Sequence, residues 1–494
     1  MRESGILMHI TSLPGRYGIG TMGSEAFRFV DFLKEAGQRC WQILPLTPTG
    51  FGDSPYQSCS TFAGNHYLID LDELVKSGLL LPQELEGIRW CQRDDKVDFG
   101  LQYNNRLKVL RLAYNRFQGS AEFDSFCATN SHWLADFALF MALKDYFGGK
   151  PWFQWDHALK FRDPDALWNI RQQLSDEIRF YSFVQYLFHT QWNALRNYAH
   201  QNGVRIIGDV PIYVPLDSVE VWSSPELFQL DETLSPTAVA GCPPDAFTAD
   251  GQLWGNPLYR WDEMKKNGYR WWIQRLGAAA ERYDVVRFDH FRGFESYWAV
   301  PYGDATARNG RWVKGPDMEF VSAVQQALPN LQLIAEDLGF LTQPVLDMLA
   351  KSGLPGMKVL EFAFDSREPS DYLPHTYPNN SVCYTGTHDN MTMRQWFETA
   401  SPEAVAYARE YMHLDDYEGL VWGTIRTAMS SVSDMCIIQL PDYLNLGGEA
   451  RMNFPGTLSD ANWTWRVSGH MINDGLARAI YNLTALYGRL PEEK

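Results

Sequence analysis

Short apolar runs punctuate the chain at eight places: Gly5–Ile10, Cys40–Leu46, Val204–Ile212, Val285–Phe291, Leu333–Leu338, Met357–Phe362, Ser381–Asp389 and Cys436–Leu444. Several are rich in β-branched residues, and none alternates polar and apolar positions cleanly. Near-continuous apolar runs suit parallel strands covered on both faces. Helical spacing fills most of the intervals. Ala26, Phe27, Phe29, Val30, Phe32 and Leu33 predict a helix over Ser24–Ala36, with Gly37 as its stop signal. Phe320–Leu328 and Thr342–Lys351 read as helices after the fourth and fifth runs. Eight βα units predict an α/β fold, a (β/α)8 TIM barrel. A doubly wound open sheet is the alternative.

Two intervals are too long for a simple crossover. Residues 47–203 are expected to form a mainly helical insertion between the second and third strands, clearest over Phe137–Tyr146 and Ile178–His200. Phe180, Val184, Leu187, Phe188, Trp192 and Leu195 fall at helical spacing there, and Asn202-Gly203 ends the pattern. Residues 215–275 are dense in Pro, Gly, Asp and Trp and read as a loop-rich insertion between strands three and four. No internal repeat or low-complexity tract is apparent. The expectation is one catalytic barrel over residues 1–494, with helical and loop insertions and no separate C-terminal β domain.

Composition narrows the function classes. The 494 residues carry a formal net charge of -17, whereas a general nucleic-acid binder needs a basic footprint. No run is long and apolar enough for a membrane span, and the first residues do not read as a secretory signal. The seven cysteines are dispersed, with no Cys-x-x-Cys and no His-Glu-x-x-His. Reduced thiols, no metal site and a cytoplasmic location follow as expectations. The 18 Trp, 24 Tyr and 28 Phe must mostly pack the core, yet such rings also suit the flat apolar faces of sugars.

In a barrel, chemistry sits at the C-terminal ends of the strands. Four runs carry ionisable residues there: Gly208-Asp209, Arg287-Phe288-Asp289-His290, Glu336-Asp337 and Thr387-His388-Asp389-Asn390. Any one of these carboxylates could simply cap a helix or turn. Four at one mouth point to ion pairs or chemistry. Arg287 and Asp289 are two apart, so they share a face, and the guanidinium favours an ionised carboxylate fit for a nucleophile. Glu336 on the next strand has the reach for a general acid if burial and nearby anions hold its proton. Two carboxyls flanking one site are the requirement for glycosidic bond cleavage. His388 and Asp389 can donate to and accept from sugar hydroxyls; a satisfied core histidine is the alternative for His388. Gly15–Gly20 lacks the dinucleotide spacing and reads as a tight loop. Trp254–Pro257 and Tyr56 could be ordinary loop residues.

Longer motifs now carry a resemblance: SLPGRYGIG at 12–20, WQILPLTPTG at 41–50, DSPYQSCSTFAGN at 53–65, GDVPIYV at 208–214, PPDAFTADGQLWGNPLYRW at 243–261, VRFDHFRG at 286–293, AEDLG at 335–339, MKVLEFAF at 357–364, YTGTHDN at 384–390 and RMNFPGT at 451–457. In this order and spacing the chain resembles the 4-α-glucanotransferases of glycoside hydrolase family 77, the amylomaltases or disproportionating enzymes. The resemblance implies a retaining enzyme that moves α-1,4-glucan segments to the 4-hydroxyl of an acceptor. By position it implies Asp289 as nucleophile, Glu336 as general acid/base and Asp389 as the third carboxylate, binding sugar hydroxyls. Arg287 and His388 match donors around that subsite, and Asp209 an acidic barrel position near substrate. Tyr56, Asp245, Trp254, Asn256, Pro257 and Asn453 lie on segments like the family's glucan-contacting loops.

The resemblance further implies no metal and no organic cofactor. It implies maltooligosaccharides and starch- or glycogen-derived glucans as partners, with no nucleic acid, no membrane and no obligate protein partner evident. Where some relatives carry an aromatic residue after Pro243-Pro244-Asp245, this chain has Ala246, which bears on acceptor stacking. Three rivals remain: an α-glucan hydrolase of the same barrel class, a glucan-binding protein with a decayed site, and a nucleotide-dependent sugar enzyme.

Overall fold

The computed structural model describes residues 2–50, 52–244, 249–339, 341–364 and 370–491. Its strands are β1 (Glu3–Leu7), β2 (Cys40–Gln42), β3 (Arg205–Val210), β4 (Ala238–Cys242), β5 (Gln252–Pro257), β6 (Val285–Phe288), β7 (Ser296–Pro301), β8 (Arg311–Lys314), β9 (Gln332–Ala335), β10 (Gly356–Val359), β11 (Ser381–Tyr384) and β12 (Met435–Gln439). Eight close a parallel barrel in the order β1-β2-β3-β6-β9-β10-β11-β12, and β12 pairs back onto β1 with Ile437 opposite Gly5. Each of the eight apolar runs contributes one barrel strand. The strands stop early, and the rest of each run forms the C-terminal mouth.

Side chains do alternate along the strands, but both faces are apolar. Leu7, Cys40, Ile207, Val285, Ile334, Met357, Val359, Val382, Tyr384 and Ile437 fill the barrel interior. Ile6, Trp41, Ile206, Val286, Phe288 and Ile438 face outward into the layer between strands and helices. Higher in the barrel the inward positions turn polar: Tyr384 donates to Gln42 Oε1 across the interior at 3.0 Å. On β3 the outward position is Gly208, where a Cβ would lie 2.2 Å from the Tyr283 ring. Glycine lets that ring close on the strand while Asp209, the next residue, points inward.

The first helix spans Ser24–Glu35, and Gly37 follows with φ +68°. Between β2 and β3 the longest helices are Phe99–Arg116, Ser131–Tyr146 and Ser175–Gln201. Within 215–275 lie β4, β5, the helices Val219–Ser223 and Trp261–Lys266 and the start of Arg270–Arg282, joined by loops. β4 and β5 join β7 and β8 in an antiparallel sheet of order β5-β4-β7-β8. Its pairing partners lie far along the chain, as Gly241 opposite Trp298 shows, so a local window of Gly and Pro carries no strand signal. No described helix is long and apolar enough to cross a membrane.

Candidate active site

Arg287 lies at the centre of the mouth. Its Nη1 donates to Asp209 Oδ2 at 2.7 Å and to Asp289 Oδ1 at 3.0 Å. Tyr56 completes the group, its hydroxyl donating to Asp209 Oδ2 at 2.8 Å. Exposure separates the two carboxylates. The Asp209 side chain is 1% exposed, whereas that of Asp289 is 27% exposed and open to a ligand. Burial pushes Asp209 up to about 7, against the pull of Arg287 and Tyr56. Burial also opposes the Arg287 charge, but Asp209 and Asp289 outweigh it and hold the guanidinium protonated. Arg287 thus supports Asp289 from inside the barrel.

Glu336 approaches Asp289 through the backbone. After β6 the chain turns sharply, with His290 in the left-handed region at φ +55°. That conformation costs a non-glycine residue about 1–2 kcal/mol. It accompanies a hydrogen bond from His290 N to Glu336 Oε2 at 2.7 Å, while Leu338 N donates to Oε1 at 2.8 Å. Burial raises the Glu336 carboxyl to about 7; Asp289 adds to the rise, while Arg287 and the two N–H groups oppose it. A buried carboxyl that keeps its proton near neutrality stands beside a carboxylate in an ion pair. A proton donor and a nucleophile need that asymmetry.

Asp389 is held from below. Asn453 Nδ2 donates to Asp389 Oδ1 at 2.6 Å, and Arg451 Nη2 donates to the Asp389 carbonyl at 3.0 Å. His388 Nε2 lies 3.4 Å from Asp389 Oδ2, and its ring stacks on Tyr56 at 5.0 Å and 13°. Burial lowers the proton affinity of His388, so the ring is a neutral donor. The Asp389 side chain remains 42% exposed and faces the open mouth.

The remaining candidates divide. Trp254 and Asn256 reach the site from β5, a strand and not a loop. Trp254 meets the His290 ring edge-on at 4.8 Å, and Gln57 Nε2 donates to Asn256 Oδ1 at 3.4 Å. Pro257 is buried at the end of β5, opposite Val239. Asn453 is committed to Asp389. Asp245 and Ala246 lie outside the described residues. Asp337 turns away from the mouth and accepts from Met357 N at 2.6 Å. Among the described residues no three His, Cys, Asp or Glu side chains gather as a metal site would require.

A family model described as 4-alpha-glucanotransferase, glycoside hydrolase family 77, matches residues 8–472. The chain belongs to this family. The 4-alpha-glucanotransferase of Clostridium butyricum is 47% identical over 486 residues, covering 98% of this chain and 100% of that one. That of Thermus thermophilus is 47% identical over 479 residues, covering 94% and 95%. The solved amylomaltase from Streptococcus agalactiae in complex with acarbose superposes with a TM-score of 0.97 at 42% identity, over 99% of this chain and 100% of that one. The activity of this family-77 chain is accordingly that of a 4-α-glucanotransferase.

Sequence reasoning did not single out several groups at the strand ends and around the mouth. Glu361, just after β10, is pushed up to about 8 by burial, and Asp442, just after β12, to about 6. Both lay inside the apolar runs, and the same strand-end rule would have found them. Arg451 and His290 carried no such signal: one acts across 62 residues, the other through its backbone.

Proposed function

We propose that this glucanotransferase works with retention, through a glucosyl-enzyme formed on Asp289. Glu336 gives its proton to the glycosidic oxygen as Asp289 attacks the anomeric carbon, and the reducing-end fragment leaves with that proton. The 4-hydroxyl of a second glucan then attacks the same carbon, Glu336 takes the hydroxyl proton, and Asp289 is released. Asp389 and His388 hold hydroxyls of the sugar at the reacting centre. Arg287 steadies Asp289, and Asp209 and Tyr56 steady Arg287. Side chains alone supply every step. The substrates are maltooligosaccharides and starch- or glycogen-derived glucans, in the cytoplasm.

The observation that carries this reading is the place of Glu336, buried and one hydrogen bond from the backbone of His290, the residue after Asp289, where burial raises its carboxyl to about 7. β5 brings Trp254 against the His290 ring at 4.8 Å, on the turn that follows Asp289. Incubation with maltotriose and no cofactor tests the proposal. Free glucose together with a ladder of longer glucans is expected. Glucose and maltose without longer chains would mean hydrolysis.

A further inference from the structure

The stack of Tyr56 on His388 has a third member, Trp463. Its ring centre lies 5.8 Å from that of Tyr56 with a tilt of 41°, and 5.9 Å from that of His388 with a tilt of 37°. With Tyr56 and His388 at 5.0 Å and 13°, each ring meets the other two. Separations of this kind are attractive for aromatic pairs. Two of the rings carry polar tips to the carboxylates of the site. The Tyr56 hydroxyl donates to Asp209 Oδ2 at 2.8 Å, and His388 Nε2 lies 3.4 Å from Asp389 Oδ2. Trp463 is buried with the cluster that fills the barrel interior, and Tyr56 and Met452 pack against that cluster.

The backbone at Trp463 is in the left-handed region, with φ +66°, and it is the only tryptophan there among the described residues. That region favours glycine, and a large side chain in it is strained. Such strain persists where the surroundings fix it, and it gathers at functional sites. Here the surroundings are specific. Trp463 N donates to the Met452 carbonyl at 2.7 Å and closes the base of a loop over 452–463. Within the loop, Asn462 Oδ1 accepts from Phe454 N at 3.1 Å, and Asn462 Nδ2 donates to the Thr457 carbonyl at 3.1 Å. One side of the base supplies Asn453, whose N donates to the His388 carbonyl at 3.1 Å and whose Nδ2 donates to Asp389 Oδ1 at 2.6 Å. The other side supplies the Trp463 ring. The base of the loop thus meets the 388–389 turn twice, by hydrogen bonds and by an aromatic ring. A glycine at 463 would suit the backbone and bring no ring.

We propose that Trp463 is a positioning residue for glucan transfer: its ring fixes the Tyr56–His388 stack. Through Tyr56 it sets the hydroxyl that steadies Asp209 and Arg287, and through His388 the imidazole that holds a sugar hydroxyl. The inference rests on the reading above, in which those two side chains serve the reacting centre. Because its effect is carried by them, loss of the ring should misplace groups in the transition state and leave glucan binding largely intact.

Steady-state kinetics of glucose release from maltotriose, on the full chain, test this. Trp463→Gly relieves the left-handed backbone and removes the ring. It should lose about 10–100-fold in kcat, the scale of a small misplacement, with KM within about twofold of the parent. Trp463→Phe keeps a ring and should recover to within about threefold of the parent. Tyr56→Phe keeps its ring and loses its hydroxyl. Combined with Trp463→Gly, it should cost less than the product of the two single losses, because the indole acts partly through that hydroxyl. If circular dichroism shows that Trp463→Gly does not fold, Trp463→Leu, which fills the space without a ring, takes its place in the same comparisons. Parent-like kcat in the ringless variant, a loss confined to KM, no recovery in Trp463→Phe, or losses that simply multiply would each overturn the inference. Asp289→Asn separates it from the reading beneath it. Activity abolished there keeps that reading, so parent-like kcat without the indole overturns the positioning role alone. Activity retained in Asp289→Asn overturns both.

Discussion

The backbone N–H of His290 donates to Oε2 of Glu336 at 2.7 Å, joining the end of β6 to the end of β9. The nucleophile candidate immediately precedes that N–H, so one left-handed residue sets the two carboxyls against each other. The backbone N–H thereby anchors the Glu336 carboxyl beside the residue that carries the other carboxylate. The predictions below follow from that arrangement and from the charges that flank it.

Glu336→Gln keeps the shape of the side chain and removes the transferable proton. Transfer from unactivated maltooligosaccharides should fall by about 10²–10⁴-fold, the usual worth of a general acid. A donor with a good leaving group needs no protonation and should lose far less in the first step. Comparing maltotriose with a glucosyl fluoride checks this, and equal losses on both donors would argue against the acid role.

The same residue sets the pH profile. Glu336 must be protonated in the free enzyme, so kcat/KM should fall as pH rises through about 7. Turnover of an activated fluoride by the Glu336→Gln variant, with azide taking the glucosyl group from Asp289 in place of the acceptor hydroxyl, should lack that limb. Rates across pH 5–9 for both proteins decide it.

Stability should respond with a definite sign. Glu336 binds its proton more tightly in the folded chain, at about 7 against 4.5 for a free glutamate carboxyl. Its contribution is therefore fully present below about 4.5 and is lost as pH rises through about 7. Above that range, burial of the ionised carboxylate costs on the order of 3 kcal/mol. Glu336→Gln escapes this cost, so its Tm should exceed that of the parent at pH 8 and converge with it near pH 5. Calorimetry at the two pH values reads the difference.

Tyr56→Phe removes one hydrogen bond to a charged acceptor, Asp209 Oδ2, and keeps the ring that stacks on His388. Arg287 remains paired to Asp289. The expected loss in kcat/KM is about tenfold, corresponding to ~1.4 kcal/mol. Asn453→Ala should cost a similar factor, mainly in kcat, because Asp389 keeps its place through Arg451 but loses the donor that orients its carboxylate. Steady-state kinetics on maltotriose separates the two variants from an inactive protein.

The barrel was legible because its signal is local. Val285–Phe291 and Cys436–Leu444 read as buried strands from seven and nine consecutive residues, and the structure forms β6 and β12 there, β12 starting one residue earlier at Met435. Arg287 and Asp289 were legible for the same reason, since two residues apart on a strand means one face. The sheet β5-β4-β7-β8 was not legible. Its strands find each other only in three dimensions, and Trp254 reads as loop punctuation until β7 stands beside β4. The Tyr56–Asp209 bond spans 153 positions and leaves no pattern in either segment. Arg282 shows the limit most plainly: an arginine ending an amphipathic helix looks solvated until the fold buries it.

The central claim is a covalent glucosyl-enzyme on Asp289. The most direct test uses the Glu336→Gln variant with an α-glucosyl fluoride donor, followed by rapid acid quench, proteolysis and mass spectrometry. The first step proceeds without an acid and the second lacks its base, so the intermediate should accumulate. The account predicts a peptide containing Asp289 heavier by glucosyl units, and no such peptide when Asp289 is also replaced by Asn. Fluoride release with no adduct under these conditions, or an adduct on any other residue, would contradict it.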